Sequence, residues 1–239
     1  MDKIALISDI HANIPALEAV LSDIKKRNIK RIMCLGDLAG KGASPELAVD
    51  IIKNNCECVI KGNWDYLIAE VNDGDFLQWN NSRLRKDQLE YLAQLPLYRD
   101  FYMSGRLIRL CHAAPSDVFG RVRFTASVEE KLSLFVPPDN KSKECDVLVY
   151  GDIHVAYIQN FNEKTIINVG SVGVPLRTTD ATYSIIEGEY GSAISTSLSM
   201  SIIRVPYDKE KAIEEAQAAN VPNLEKFIYE LRTGEVFDK

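Results

Sequence analysis

The alternation of apolar and polar positions divides the chain into short apolar runs and amphipathic segments. Lys3-Ile4-Ala5-Leu6-Ile7 is an apolar run of strand length that ends in Ser8-Asp9-Ile10-His11. Apolar positions at helical spacing follow over 14–24, with Asn13 as N-cap and Pro15 in the first turn, where the missing N–H has no partner to lose. Arg31–Leu35 predicts a second strand, closed by Gly36-Asp37, and Ser44-Pro45-Glu46 opens a second helix reaching about Asn54. Cys58-Val59-Ile60 predicts a third strand, ending in Lys61-Gly62-Asn63-Trp64-Asp65. Such a β-α-β-α-β series predicts a parallel sheet with crossover helices.

From Trp64 to Gln94 the pattern is helical and polar, with a break near Asn72-Asp73-Gly74, and predicts a helical insertion at about 64–95. Strands are predicted over 97–103 and 106–111, the second ending in His112, and a weaker helix over 127–135 is followed by the loop Pro137-Pro138-Asp139-Asn140. Residues 146–150 predict a strand ending in Gly151-Asp152-Ile153-His154, and 157–161 with 165–169 predict a hairpin turned by Asn162-Glu163-Lys164. Further strands are expected at 181–187 and about 193–205, and closing helices at about 208–220 and 222–232, the last stopped by Gly234. No repeat, low-complexity stretch or linker interrupts the pattern, which predicts one domain over 1–239 with two packed sheets flanked by helices.

A length of 239 residues can build one large core or two small domains, and length alone does not choose. The net charge of −6 argues against general nucleic-acid binding, which needs a basic stripe. It leaves a nucleotide or other phosphate open as substrate, because a metal ion supplies local positive charge. The first strand begins without a basic leader, so no signal peptide is expected, and no run approaches the ~20 apolar residues of a membrane span. The five cysteines, Cys34, Cys56, Cys58, Cys111 and Cys145, have no C-x-x-C spacing, and at least two lie in apolar strand patterns. Buried thiols in a reducing cytosol account for them, and a cytoplasmic protein is expected. Oligomeric state is left open, a homo-oligomer included.

The strand ends carry the chemistry. They present Asp9 and His11, then Asp37, Asn63, His112, and finally Asp152 with His154, and all three histidines of the chain are among them. In open α/β sheets ligands gather beyond the carboxyl ends of strands. A carboxylate and an imidazole one residue apart suit a divalent ion, and seven potential ligands suit two ions better than one. Two ions bridged by a carboxylate and a water are a device for in-line displacement at phosphorus, the bridging hydroxide being the nucleophile.

The ordered set Asp9-Ile10-His11, Gly36-Asp37, Gly62-Asn63-Trp64-Asp65, His112 and Gly151-Asp152-Ile153-His154 resembles the calcineurin-like metallophosphoesterases. The stretch Asn168–Pro175 is similar to one in their small bacterial phosphodiesterase-type branch, and the resemblance covers at least residues 3–187. It implies an α/β fold in which two mixed β-sheets pack as a sandwich flanked by helices, in four αββα layers. It implies one ion between Asp9, His11, Asp37 and His154 and a second between Asp37, Asn63, His112 and residue 152, with Asp37 bridging. It further implies Asp37, Asn63 and Asp65 as catalytic residues of a dinuclear hydrolase acting on a small phosphate ester.

Two positions depart from the pattern. Trp64 stands where the family has the histidine that protonates the leaving group, and tryptophan has no proton to give near neutral pH. Phosphodiesters or nucleotides are therefore expected ahead of simple monoesters. Asp152 replaces a ligating histidine: as a ligand its oxygen favours Mn²⁺ or Mg²⁺ over Zn²⁺, with Fe and Ni²⁺ as further alternatives, and otherwise it lies outside the ligand shell and the second ion binds weakly. Asn13, Arg121, Arg123 and Arg177 are candidate substrate neighbours, Asn13 as a helix cap first, and Lys61 is expected to be structural. Pocket shape is expected to be set by 64–95 and by the loop 113–126. The alternative reading is a catalytically weak or inactive metal-binding member serving as a protein-interaction scaffold.

Overall fold

The computed structural model describes residues 1–71, 73–139 and 142–237. Asn72 of the expected break and Asn140 of the expected loop lie outside the described residues. The chain runs β1 (Asp2–Ile7), α1 (Ile14–Lys26), β2 (Arg31–Cys34), α2 (Pro45–Asn55), β3 (Cys58–Val59) and α3 (Asn63–Tyr66), which continues as a π-helical turn, Leu67–Val71. Next come α4 (Asp75–Asn81), α5 (Lys86–Gln94), β4 (Tyr98–Met103), β5 (Arg106–Cys111), α6 (Val128–Ser133) and β6 (Val147–Tyr150). The hairpin β7 (Tyr157–Phe161) and β8 (Lys164–Asn168) follows, then β9 (Ala181–Gly188), β10 (Ser199–Val205), α7 (Lys209–Ala218) and α8 (Leu224–Thr233).

The strands form two mixed five-stranded sheets, in the orders β10-β9-β1-β2-β3 and β4-β5-β6-β8-β7. In the first, β1, β2 and β3 are parallel and β9 and β10 antiparallel; in the second, β5, β6 and β8 are parallel, with β4 and β7 antiparallel at the edges.

Strand periodicity assigns the faces. Ile4 and Leu6 of β1 turn inward and meet Ile108, Leu110, Val147, Val149 and Ile167 of the other sheet, forming the sandwich interior. Ala5 and Ile7 turn outward onto Leu17, Val20, Val49 and Ile52 of α1 and α2. The outer face of the second sheet is covered more thinly, by Leu134 and Phe135 just after α6. α7 and α8 pack together around Ile213, Phe227 and Val174.

Asn13 caps α1 as expected, its Oδ1 accepting the Ala16 N–H at 3.2 Å. The five cysteines are free thiols, Cys34, Cys111 and Cys145 buried. Two boundaries differ from expectation. β10 starts at Ser199 rather than near 193, because the preceding segment bonds to the β4–β5 turn. The Gly105 N–H donates to Ser192 O at 3.0 Å and the Ser104 hydroxyl to Ser197 O at 2.9 Å. α8 starts at Leu224 because Asn223 takes a left-handed conformation, φ 60°. Among the described residues no helix is long and apolar enough to cross a membrane.

The fold matters for function because both parallel trios run to a common edge. β1, β2 and β3 bring Asp9, Asp37 and Asn63 there, and β5 and β6 bring His112, Asp152 and His154.

Behind that edge one ion pair is built into β4 and β5. Arg109 is fully buried on β5 and grips Asp100, its register partner on β4, through two bonds of 2.8 and 2.6 Å. Lys143 O takes a further bond at 2.8 Å. Arg109→Ala leaves Asp100 without its cation. It should cost about 3 kcal/mol, lowering Tm by roughly 6–12 °C for a chain of this size. Thermal denaturation beside wild type checks this; a change within error would show the pair to be energetically idle.

Candidate metal centre

All seven ligand candidates are buried, and the backbone turns sharply to present them. Asp9 (φ 54°), His11 (47°), Asp37 (57°), Asp152 (62°) and His154 (59°) all occupy the left-handed region, where a non-glycine residue is held only by its surroundings. The holding is visible. Beyond β1 and β2 the ladder continues through their loops, with Asp9 N–H donating to Gly36 O, His11 N–H to Asp37 O and Ala12 N–H to Leu38 O, at 2.9, 2.9 and 3.0 Å. Gly36 (φ 99°) lets this loop pass against Gly62, where a Cβ would strike backbone.

Asp9, Asp37, His112 and His154 are each anchored on one atom and presented on another. Asp37 Oδ1 accepts the Trp64 N–H at 2.8 Å, leaving Oδ2 3.7 Å from His11 Nε2 and 3.5 Å from His112 Nε2. Asp9 Oδ2 accepts the Asp152 N–H at 3.1 Å, leaving Oδ1 3.2 Å from His154 Nε2 and 3.9 Å from His11 Nε2. His112 and His154 turn Nδ1 onto the carbonyls of Leu35 and Val174 at 2.7 and 2.6 Å. A carbonyl can only accept, so both Nδ1 atoms carry protons and a neutral ring presents its Nε2 lone pair.

What those lone pairs face decides the chemistry. His154 Nε2 looks at Asp9 Oδ1 and, at 3.1 Å, at His11 Nε2; His112 Nε2 looks at Asn63 Oδ1 at 3.0 Å. Acceptors converge on acceptors, and Asp9 Oδ1 has no hydrogen-bond partner. Such a cluster needs a cation or extra protons. Two groups have ligand atoms all within 4.8 Å of one another: Asp9, His11 and His154, and Asp9, Asp37 and His112. Their oxygen and imidazole atoms fit divalent metals. Asp9 is common to both groups, and Asp37 Oδ2 stands between His11 and His112.

The charges pull on one another. Burial works to raise Asp9, but the three surrounding histidines outweigh it and hold its carboxyl below the usual range. Burial raises Asp37 despite the pull of His112. Burial would lower His112, but Asp37, Asp9 and Asp152 outweigh it and hold its second proton well above the ordinary value. His11 is driven well below that value by burial and by Lys41.

Two predicted site residues are employed in ways the sequence did not disclose. Asp65 touches no presented ligand atom. Its carboxylate accepts the N–H groups of Asp37, Gly62 and Leu38 at 2.8, 2.8 and 2.9 Å, and burial and the Asp37 charge raise it to about 6. It is a positioning residue for the Asp37 loop. Asp152 has both oxygens engaged by Arg121, at 2.7 Å each, with Oδ1 3.9 Å from His112 Nε2. Asn13 spends its amide on structure: besides capping α1 it donates to Gly173 O at 2.7 Å. Lys61 is structural as expected, bonding Ala93 O at 2.6 Å and Glu70 at 3.0 Å. Trp64 stands beside the site, its ring edge-on to His11 at 6.3 Å and packed on Phe76 at 4.9 Å. Arg123 and Arg177 lie outside the cluster, on a neighbouring cavity.

Sequence reasoning missed Ser171, whose hydroxyl donates to Asp9 O and accepts from the Val174 N–H, so tying the Asn168–Pro175 stretch to the Asp9 loop. It also missed Lys41, which pairs with the buried Glu230 of α8 at 3.2 Å. Ser171 lies inside the stretch that carries part of the resemblance, which assigns it no role, while Lys41 stands in no pattern that would mark it.

The family model for the calcineurin-like phosphoesterase superfamily domain matches residues 2–190. An uncharacterized protein of Methanocaldococcus jannaschii is 33% identical, the match covering 92% of this chain and 93% of that one. A hypothetical protein from Pyrococcus horikoshii shares the fold, with TM-score 0.81 at 22% identity over 99% of this chain and 100% of that one. So does a metallophosphoesterase from Sphaerobacter thermophilus, with TM-score 0.76 at 22% identity over 98% and 99%.

Two outcomes are expected. A Cβ at residue 151 would press on Ser8 Oγ and stand 2.6 Å from Asp9 Oδ2. Gly151→Ala should therefore lower stability by roughly 1–3 kcal/mol and cut bound metal, read by thermal denaturation and metal analysis; full occupancy would mean that the close approach is dispensable. Metal binding must also displace the raised His112 proton. Below the pKa of that group, affinity should rise about tenfold per pH unit and then level off. Calorimetry in buffers of different ionisation enthalpy should show net proton release on binding. A pH-independent affinity would exclude this protonation state.

Proposed function

Because the chain belongs to the calcineurin-like phosphoesterase superfamily, we propose that it is a cytosolic metal-dependent hydrolase of phosphate esters. It works with two divalent ions, Mn²⁺ fitting the oxygen-rich set best, on phosphodiesters or nucleotides ahead of monoesters. The observation that carries this reading is the convergence of buried acceptor atoms into two groups that share Asp9 and adjoin through Asp37.

One ion would be held by Asp9, His11, His154 and Asp37, the other by Asp37, Asn63 and His112, with Asp152 alongside. Divalent ions held there supply positive charge to the phosphoryl oxygens and make water acidic enough to attack at neutral pH. The chain's own residues do the rest. Asp65 holds the Asp37 loop through its bonds to the Asp37 and Leu38 N–H groups, with a third to Gly62. The Leu35 and Val174 carbonyls fix the tautomers of His112 and His154. Arg121, its side chain 47% exposed, spends its fork on Asp152 and so neutralises that carboxylate at the rim of the site. Trp64 offers an indole where a proton donor would assist a poor leaving group, so leaving groups that depart without protonation are preferred.

The test uses metal-stripped protein with Mn²⁺, Mg²⁺, Ni²⁺ or Zn²⁺ restored. Hydrolysis of bis-p-nitrophenyl phosphate should return with metal and exceed that of p-nitrophenyl phosphate. Asp37→Asn should lower kcat/KM at least about 100-fold, the scale of losing one central electrostatic group. Bound metal with no hydrolysis of either ester would favour the scaffold reading instead.

A further inference from the structure

A cavity of about 690 Å³, in the size range of small-molecule sites, is lined in part by the residues on either side of His154. Ile153 and Val155, which flank His154, form one wall, and Leu176, whose N–H donates to His154 O at 3.0 Å, continues it. The segment after α8 closes the far side, with Val236 half exposed. Into this space, lined about equally by polar and apolar groups, open Arg123 and Arg177.

Among the described residues neither guanidinium has an ion pair, whereas Arg121, two residues from Arg123, pairs with Asp152. Glu235 also lines the cavity, its carboxylate accepting from the Tyr229 hydroxyl at 3.3 Å, so two arginines face one acid there. In a chain of net charge −6, that local excess of positive charge favours an anion.

Arg177 is moreover held in place. Its guanidinium stacks over Phe124 with 4.0 Å to the ring centroid. Its backbone is left-handed, φ 63°, and fastened by a 2.6 Å bond from its N–H to Gly234 O. Strained backbone of this kind persists where surroundings over-determine it, and it gathers at ligand sites. One loop serves both places: Arg121 reaches the metal centre, and Arg123, two residues on, reaches the cavity.

We infer that this cavity receives a second, phosphate-bearing arm of the substrate, the anion on Arg123 and Arg177 and an apolar ring against Val155 and Val236. The substrate class is then one with a nucleoside phosphate on the far side of the scissile bond, rather than a diester with neutral arms. This narrows the phosphoesterase reading and rests on it for the word substrate; the binding itself does not depend on catalysis.

The test is calorimetric titration of the full chain, as isolated and again after metal removal, with adenosine 5′-monophosphate as probe and adenosine as control. Saturable binding of the nucleotide in both states is expected, at least tenfold weaker for adenosine. Arg177→Ala and Arg123→Ala should each weaken it tenfold or more, with Arg177→Lys between. Both side chains lie at the surface without ion pairs, and circular dichroism confirms that the variants fold. Equal binding of nucleotide by wild type and both alanine variants would overturn the inference, as would equal binding of adenosine and its phosphate. Failure of the phosphoesterase reading shows elsewhere, as wild type inert toward bis-p-nitrophenyl phosphate with every metal.

Discussion

The structure is organised around a repulsion. At one edge of the sandwich, Asp9, Asp37 and Asp152 are buried with the lone pairs of three histidines and the Asn63 carbonyl. Charges and acceptors removed from water cost several kcal/mol each unless they are partnered. The fold partners one atom of most of these groups with backbone and leaves the other directed into the cluster. Such a centre is stable only with positive charge inside it, whether protons on His112 or metal ions. Demand for a cation is thus a property of the apo chain and not an addition to it.

The same requirement explains the backbone. Five of the seven ligand residues are left-handed non-glycines, Asp9, His11, Asp37, Asp152 and His154, in a conformation that costs roughly 1 kcal/mol or more apiece. Local preference alone would undo these turns. They persist because the β1 and β2 loops are hydrogen-bonded to each other beyond the strands, and because the Asp65 carboxylate fastens Asp37 and Leu38 of that ladder to Gly62 of the next loop. Glycine appears where there is no room for a side chain, as at Gly36 against Gly62 and Gly151 against Ser8. The strain is carried by the sandwich core behind it, where Ile4, Leu6, Ile108 and Val149 interlock.

Much of this was legible in the chain. Apolar runs of strand length located the strands, and the placement of every histidine just beyond one marked the common edge before any contact was known. Legibility failed where the deciding contact is remote in sequence. Ser199 begins β10 because residues 192–197 are claimed by a turn some ninety positions earlier. Asp65 reads as a catalytic carboxylate from its motif, yet its oxygens face backbone N–H groups on two loops, which no spacing reveals. The cavity beside His154 is assembled from the 123–125 loop, Ile153 and Val155, the 176–178 turn and the end of α8, four segments with no shared pattern.

The departure at position 152 follows from charge. A carboxylate there adds a third buried negative charge near Asp9 and Asp37, where the family pattern has a neutral imidazole. Arg121 answers it with a bidentate pair whose oxygens and nitrogens are 2.7 Å apart, so that Asp152 and Arg121 together present no net charge to the cluster. The two residues therefore form a unit, and neither is intelligible alone: Asp152 without Arg121 would be an uncompensated buried acid, and Arg121 without Asp152 a free surface cation. Because Arg121 is committed in this way, Arg123 and Arg177 are left as the uncommitted guanidiniums beside the centre, which is why the anion-binding capacity of this chain lies in the cavity next to the metal site as well as in the site itself.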